Sequence, residues 1–234
     1  MSIVNIETLK QNNCELWFPG SVVTSGTYDD DGNKQGFMIL PDGVTVTPTG
    51  TFTTQKLKNG QNCLVFDGST NYITIADHEV WNIGAGNFTF LTWFNFHTFA
   101  HQHSILEQYQ DNNNIGFFIA INVASGTEFA WKQSGSWVFD LMKSGDISSY
   151  TAETWYFISI TRNGTYIEMR VNNVYKTSVT YTGTFSNISG TLKIGYNSAG
   201  AQYYADGNIK DLMIFKKALS VDQIGSLYNE TYIY

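Results

Sequence analysis

Charge is scarce in this chain: Asp, Glu, Lys and Arg together make up 14% of its 234 residues. The 13 basic residues are outnumbered by 20 acidic ones, leaving a formal charge of -7. A phosphate-binding surface needs clustered Lys and Arg, so nucleic acid is excluded as a partner. Long apolar runs are also missing. None approaches the roughly 18 residues that a membrane span requires, which excludes a membrane partner of that kind. The start, MSIVNIETLKQ, lacks the basic and apolar stretches of a secretory signal. Two cysteines, Cys14 and Cys63, are too few for a disulfide framework and have no paired-Cys metal spacing. Each precedes an apolar strand-like stretch, so they are either buried thiols or a bridge between neighbouring N-terminal strands. No repeat or heptad pattern is visible, so a homo-oligomer would have to form through sheet edges or chain ends.

What is present is apolar and aromatic: 42% hydrophobic residues and 15% Phe, Trp and Tyr. Short runs alternate apolar and polar residues and end in Gly, Asn or Asp, the pattern of half-buried strands joined by tight turns. Four phrases carry it most clearly: LVFDGSTNYITI from Leu64, NFTFLTWF from Asn87, TWYFISITRNGTYIEMRVNN from Thr154 and ADGNIKDLMIF from Ala205. Further strands are expected at Val44 to Val46 and at Phe37 to Leu40, split by the turn signal Pro41-Asp42-Gly43. Near the end, Ser220 and Gln223 form a capping box, and Val221, Ile224, Leu227 and Tyr228 fall at helical spacing. A single helix is therefore expected there, closing one edge. The aromatic tail Tyr228, Tyr232, Ile233 and Tyr234 is either a docking strip or folds back on the body.

The order of these phrases resembles the laminin G-like, concanavalin A-like lectin/glucanase superfamily, and within it the divergent domains of phage tail and virion proteins. The resemblance rests on Phe66-Asp67-Gly68 with Tyr72, on Trp81 through Gly84, Gly86, Phe88 and Thr89 to Trp93, and on Trp155, Arg162-Asn163-Gly164 and Gly207. It implies an all-β fold: a two-sheet antiparallel jelly-roll sandwich forming one domain over residues 1–234. Residues 1–18 would be a leader and first strand, and residues 219–234 the closing helix and tail.

The same fold hosts lectins, hydrolases and inert modules, so function has to be sought in particular residues. Glucanases of this superfamily carry a Glu-x-Asp-x-x-Glu strand motif, and none occurs here. Glu107, Glu128, Glu153 and Glu168 stand singly, so a non-enzymatic role is expected and a divergent glycoside hydrolase is the alternative. His97, His101 and His103 cluster: His101 and His103 alternate on a possible strand and could bind zinc from one face, but the segment lies where the resemblance places a variable loop, so it is read as solvated. Sugar recognition needs aromatic rings beside polar side chains. Tyr109, Trp131 and Trp137, with Asn122 and Lys132, are the candidates. Phe129 and Trp131 share a strand face, and that face is either core or ligand surface. Calcium is the ion the resemblance implies, held by oxygen ligands. Asp77 with Asp211, and Asp29 with Asp31 in the Asp29-Asp30-Asp31-Gly32-Asn33 turn, are its candidate ligands.

The reading is a phage virion or adhesion module that binds surface glycans, made in the cytoplasm without a signal peptide and displayed on a virion or extracellular surface. A capsid-decoration or tail-appendage subunit contacting only other virion proteins is the alternative.

Overall fold

A computed structural model describes residues 14–18, 41, 43–58, 60, 62–124, 126–143, 150–198 and 203–230. Two antiparallel sheets pack face to face. The first carries β1 (Leu16–Phe18), β3 (Thr53–Lys56), β4 (Asn62–Asp67), β6 (Phe88–Phe96), β11 (Tyr156–Asn163), β12 (Tyr166–Val171), β13 (Val174–Thr180) and β15 (Asp206–Phe215). The second carries β2 (Val46–Thr49), β5 (Tyr72–Ile75), β7 (His103–Asp111), β8 (Asn114–Asn122), β9 (Gly126–Gln133), β10 (Ser136–Lys143) and β14 (Thr191–Ile194). The eight-stranded sheet runs β13-β12-β11-β6-β15-β4-β3 with β1 beside β15, and the seven-stranded sheet runs β10-β9-β8-β7-β14-β5-β2. One helix, α1 (Val221–Glu230), follows the last strand. The expected sandwich is the observed one.

Strand periodicity explains the core. In β6, Phe88, Phe90, Phe94 and Phe96 point between the sheets, while Leu91 and Trp93 point outward. The inward rings meet Phe117 and Phe129 of the opposite sheet, with Phe90 and Phe117 centroids 4.8 Å apart. The outward residues are buried too, because Ile224, Leu227 and Tyr228 of α1 pack over them with Phe157, Met213 and Phe215. The helix thus covers a sheet face rather than closing an edge. Its apolar stripe needs a broad apolar partner, and the outward side chains of β6, β11 and β15 supply one. The capping box is formed as expected: Gln223 N–H donates to Ser220 Oγ at 3.2 Å, and Ser220 N–H to Gln223 Oε1 at 2.9 Å.

Other expectations shift. The strand predicted at Val44 to Val46 instead occupies Val46–Thr49. The Pro41 turn, closed by Val44 N–H to Pro41 O at 3.3 Å, uses the first residues. Pro48 is tolerated because β2 is the last strand of its sheet. Phe37 to Leu40 lies outside the described residues, as do Tyr232, Ile233 and Tyr234. Tyr228 folds back and stacks on Trp93 at 5.3 Å. Cys14 and Cys63 are both buried thiols.

The sequence phrases of the resemblance prove architectural. Asp67 organises the turn after β4: its Oδ1 accepts the backbone N–H groups of Ser69 at 2.8 Å and Thr70 at 2.7 Å. Partial burial works to raise its pKa, but the Thr70 hydroxyl and the Thr70, Ser69 and Asn71 amides outweigh it and pull it down to about 2. Gly207 sits at φ +132°, where a Cβ would lie 2.2 Å from the Asn95 carbonyl oxygen, so only glycine lets β15 approach β6 there.

Candidate functional site

The register of the seven-stranded sheet puts one row of side chains across five strands on its outer face. Thr191 of β14 pairs with Tyr109 of β7, Tyr109 with Ile115 of β8, Ile115 with Lys132 of β9, and Lys132 with Trp137 of β10. Residues opposite one another in antiparallel strands project to the same side, so Tyr109, Lys132 and Trp137 come together.

Two hairpin turns hold this row. Ser134 and Gly135, both at positive φ (49° and 82°), form the two-residue β9–β10 turn, whose left-handed geometry suits the twist of the strands. Gly135 N–H donates to Asn113 O at 2.9 Å, tying that turn to the β7–β8 turn. There Asn112 holds two members of the row. Its carbonyl accepts from Lys132 Nζ at 2.7 Å and its Oδ1 from the Tyr109 hydroxyl at 3.1 Å. The Lys132 ammonium lies 5.7 Å from the centre of the Trp137 ring, and Trp137 is 48% exposed. Asp111 accepts from Asn113 N–H at 2.7 Å and from Asn114 Nδ2, and its pKa is lowered by those bonds. Burial raises the Tyr109 pKa, with Glu107 and Asp111 adding to the effect, so the phenol stays protonated at neutral pH.

A second group extends the face. Lys193 of β14 stands opposite Glu107 of β7, with Nζ 5.1 Å from the Tyr109 ring centre and 5.3 Å from that of Tyr196. Tyr196 stacks on Tyr72 at 4.6 Å and lies 4.7 Å from Tyr204. Ser198 links them: its hydroxyl accepts from Lys193 and its N–H donates to Glu107 Oε2 at 2.8 Å. The sequence signal was the alternation Leu192-Lys193-Ile194, which turns Lys193 outward between two core residues. The tyrosines come from segments too distant in sequence for spacing to link them.

Two expected site residues fall elsewhere. Trp131 is 1% exposed, between the sheets, 4.3 Å from Phe185 and 4.7 Å from Tyr181. It is a core residue and cannot stack on a ligand. Asn122, at the far end of β8, donates to Gln102 Oε1 at 3.3 Å. Seven residues from Ile115, it is roughly 23 Å from the row.

Of the candidate calcium ligands, Asp77 and Asp211 lie on or beside strands of different sheets. Asp77 follows β5 of the seven-stranded sheet and is exposed. Asp211 sits in β15 of the other sheet, 3% exposed, its oxygens taken by Trp17 Nε1–H at 2.9 Å and by Lys210 Nζ. Lys210 neutralises a carboxylate that a cation would need. Asp29 and Asp31 lie outside the described residues. Among the described residues no group of three His, Cys, Asp or Glu could hold a metal.

The histidine segment is not all solvated loop. His103 begins β7 at 0% exposure and stacks on Phe96 at 4.3 Å. Its Nε2–H donates to Thr98 O at 2.8 Å, and Nδ1 accepts from Asp206 N–H at 3.2 Å. Burial, then the neighbouring His101, lower its pKa to about 4. His97 pairs with Asp206 at 2.8 Å.

A laminin G-type family model, described as concanavalin A-like lectin/glucanases superfamily, matches residues 67–225. The chain belongs to this superfamily. No curated protein matches it by sequence. Among solved structures of the same fold is domain 4 of AbnA, a GH43 extracellular arabinanase from Geobacillus stearothermophilus, in complex with arabinotriose. It is 18% identical with a TM-score of 0.65, and the match covers 93% of this chain and 100% of that one. A structure of botulinum neurotoxin type C, whose cell entry is described as dependent on two ganglioside molecules, gives 15% identity and a TM-score of 0.69. That match covers 97% of this chain and 53% of that one. The binding domain of botulinum neurotoxin DC, in complex with SialylT, gives 18% and 0.66, over 94% and 52%. This superfamily member thus spans about half the length of the neurotoxin chains, and at such identities the likeness is one of fold.

Proposed function

We propose that this chain is a non-catalytic carbohydrate-binding domain that reads glycans with the outer face of its seven-stranded sheet, serving as an adhesion module of a phage particle. The carrying observation is the single row in which Tyr109, Lys132 and Trp137 project together. Exposed aromatic faces bind the apolar faces of sugar rings, and a fixed ammonium and amide groups read their hydroxyls. Neighbours of the same fold that hold arabinotriose or SialylT support this chemistry. The non-catalytic part is supported by the carboxylates of the same face. Glu107 and Glu128 are buried, and Asp111 at the β7–β8 turn is engaged by Asn113 N–H and Asn114 Nδ2, whereas a general acid and a nucleophile both have to reach the glycosidic bond. Weak single sites become effective when many copies share one particle. The phage setting, with other virion proteins as structural partners, is supported by the sequence phrases alone.

A glycan array probed with multivalent wild-type protein, with calcium and with chelator, tests the reading. Binding that falls at least about tenfold in Trp137→Ala with unchanged melting is expected. No binding in either condition overturns it. Co-sedimentation with virions in a producing lysate tests the setting; recovery as free protein contradicts it.

A further inference from the structure

The opposite outer face of the molecule carries a second aromatic patch that the seven-stranded face does not use. Asn172 and Asn173, both left-handed (φ 48° and 60°), turn β12 into β13 as a tight hairpin. Asn172 fixes it to β11, its Oδ1 accepting Phe157 N–H at 2.9 Å. Ile167, Met169 and Val179 face the core, so Tyr166, Glu168 and Arg170 face out on β12. Ser178 is opposite Glu168, and Tyr175 is opposite Arg170. Two phenols meet over one serine: the Tyr166 hydroxyl donates to Ser178 Oγ at 2.6 Å, and the Tyr175 hydroxyl lies 2.9 Å from the same atom. Their rings are therefore fixed, yet Tyr166 is 43% and Tyr175 48% exposed, beside Val174 at 59%. Arg170 Nε donates to Glu168 Oε1 at 2.5 Å and Nη1 to Asn173 O at 3.3 Å. Glu168 Oε2 and Arg170 Nη2 have no protein partner among the described residues.

The geometry points to a second carbohydrate subsite here, taking a neutral sugar ring. Two immobilised, half-exposed tyrosine rings offer the apolar floor at little entropic cost. The open carboxylate oxygen accepts a sugar hydroxyl, and the open guanidinium nitrogen donates to one. Glu168 and Arg170 neutralise each other, so the pair that faces the rings adds no net charge to favour an acidic sugar. An added β-strand fits less well, because β10 of the other sheet lies alongside β13. The inference stands apart from the proposal for the seven-stranded face, since the two patches lie on opposite outer faces.

The test is calorimetric titration of the full chain with arabinotriose, cellotriose and maltotriose. The variants are Tyr166→Ala, Tyr175→Ala, Tyr175→Phe and Trp137→Ala, each required to melt like wild type. The expected result is at least one probe whose affinity falls about tenfold in both alanine variants, survives in Tyr175→Phe, and is unchanged by Trp137→Ala. Binding lost in Trp137→Ala but unaffected at Tyr166 and Tyr175 overturns this subsite and leaves the other face standing. Binding of no probe overturns it, as does a wild-type dimer in sedimentation that Tyr175→Ala dissociates, which would make the patch a contact between copies.

Discussion

Tyr109 and Lys132, on strands β7 and β9, are held by the same residue: Asn112 accepts the phenol at 3.1 Å through its side chain and the ammonium at 2.7 Å through its carbonyl. With both polar ends anchored at the turn, Tyr109 and the Lys132 stem are preorganised, and Trp137 stands beside them at 48% exposure. Neighbouring tryptophans on β9 and β10 consequently have opposite roles. Trp131→Ala should cost about 3 to 5 kcal/mol of stability by opening a cavity between the sheets. Trp137→Ala should leave stability within about 0.5 kcal/mol while weakening glycan binding. Chemical denaturation of the two variants checks the contrast; equal losses would contradict it.

How far this was legible in the sequence depends on the kind of residue. Alternation in Asn87 to Phe94 marked β6 as a strand and the Ser220 to Gln223 box marked the helix start, but that β6 is buried on both faces rather than half-buried follows from the helix packing over Leu91 and Trp93. Tyr109, Lys132 and Trp137 were recognisable as ring and donor chemistry. Their common row follows from register, which two turns and a bulged β9–β10 pairing determine. Trp131 was ambiguous because a period of two says which residues share a face, not which face is core. Asp211 was misread because its partner Trp17 is 194 residues away. His103 was misread because the resemblance places a variable loop where the buried strand β7 begins.

Arg162 is 2% exposed and its guanidinium bonds backbone carbonyls alone: Gly164 at 2.8 Å, Gly183 at 3.0 Å, Gly84 at 3.2 Å and Tyr181 at 3.3 Å. It clamps three loops at one end of the sandwich. Arg162→Met should destabilise by about 3 kcal/mol, since it leaves several buried acceptors unpaired. Arg162→Lys should not fully rescue, because one ammonium cannot span the fork. Urea unfolding midpoints decide this; a neutral Arg162→Met would refute the clamp.

Acid should destabilise the fold through His103. Unfolded, the imidazole takes up a proton near pH 6.5; folded, it resists until about pH 4. The unfolded chain therefore binds more protons in that window. The stabilisation is complete above pH 6.5 and is lost as pH falls to about 4, amounting to about 3 kcal/mol. His101, 4.3 Å away, adds to the effect, while the Asp206 carboxylate, paired with His97, opposes it. Melting temperature against pH should be flatter for His103→Gln than for wild type; parallel curves would contradict the assignment.

Cys63 is 0% exposed, and burial, only partly offset by Lys210, raises its thiol pKa to about 12. The folded thiol should resist iodoacetamide at pH 8 and react once the chain is unfolded in urea. Rapid labelling of Cys63 in the folded protein would contradict this placement.

The central claim is that a glycan lies on the Tyr109, Lys132 and Trp137 row, and tryptophan fluorescence reads it at Trp137, the one exposed tryptophan among the described residues. Titration with an oligosaccharide chosen from the array should shift the emission of wild type to the blue and saturate. Trp137→Phe should bind the same sugar without that shift. Calorimetric binding with no change in wild-type emission would place the ligand elsewhere and contradict the account.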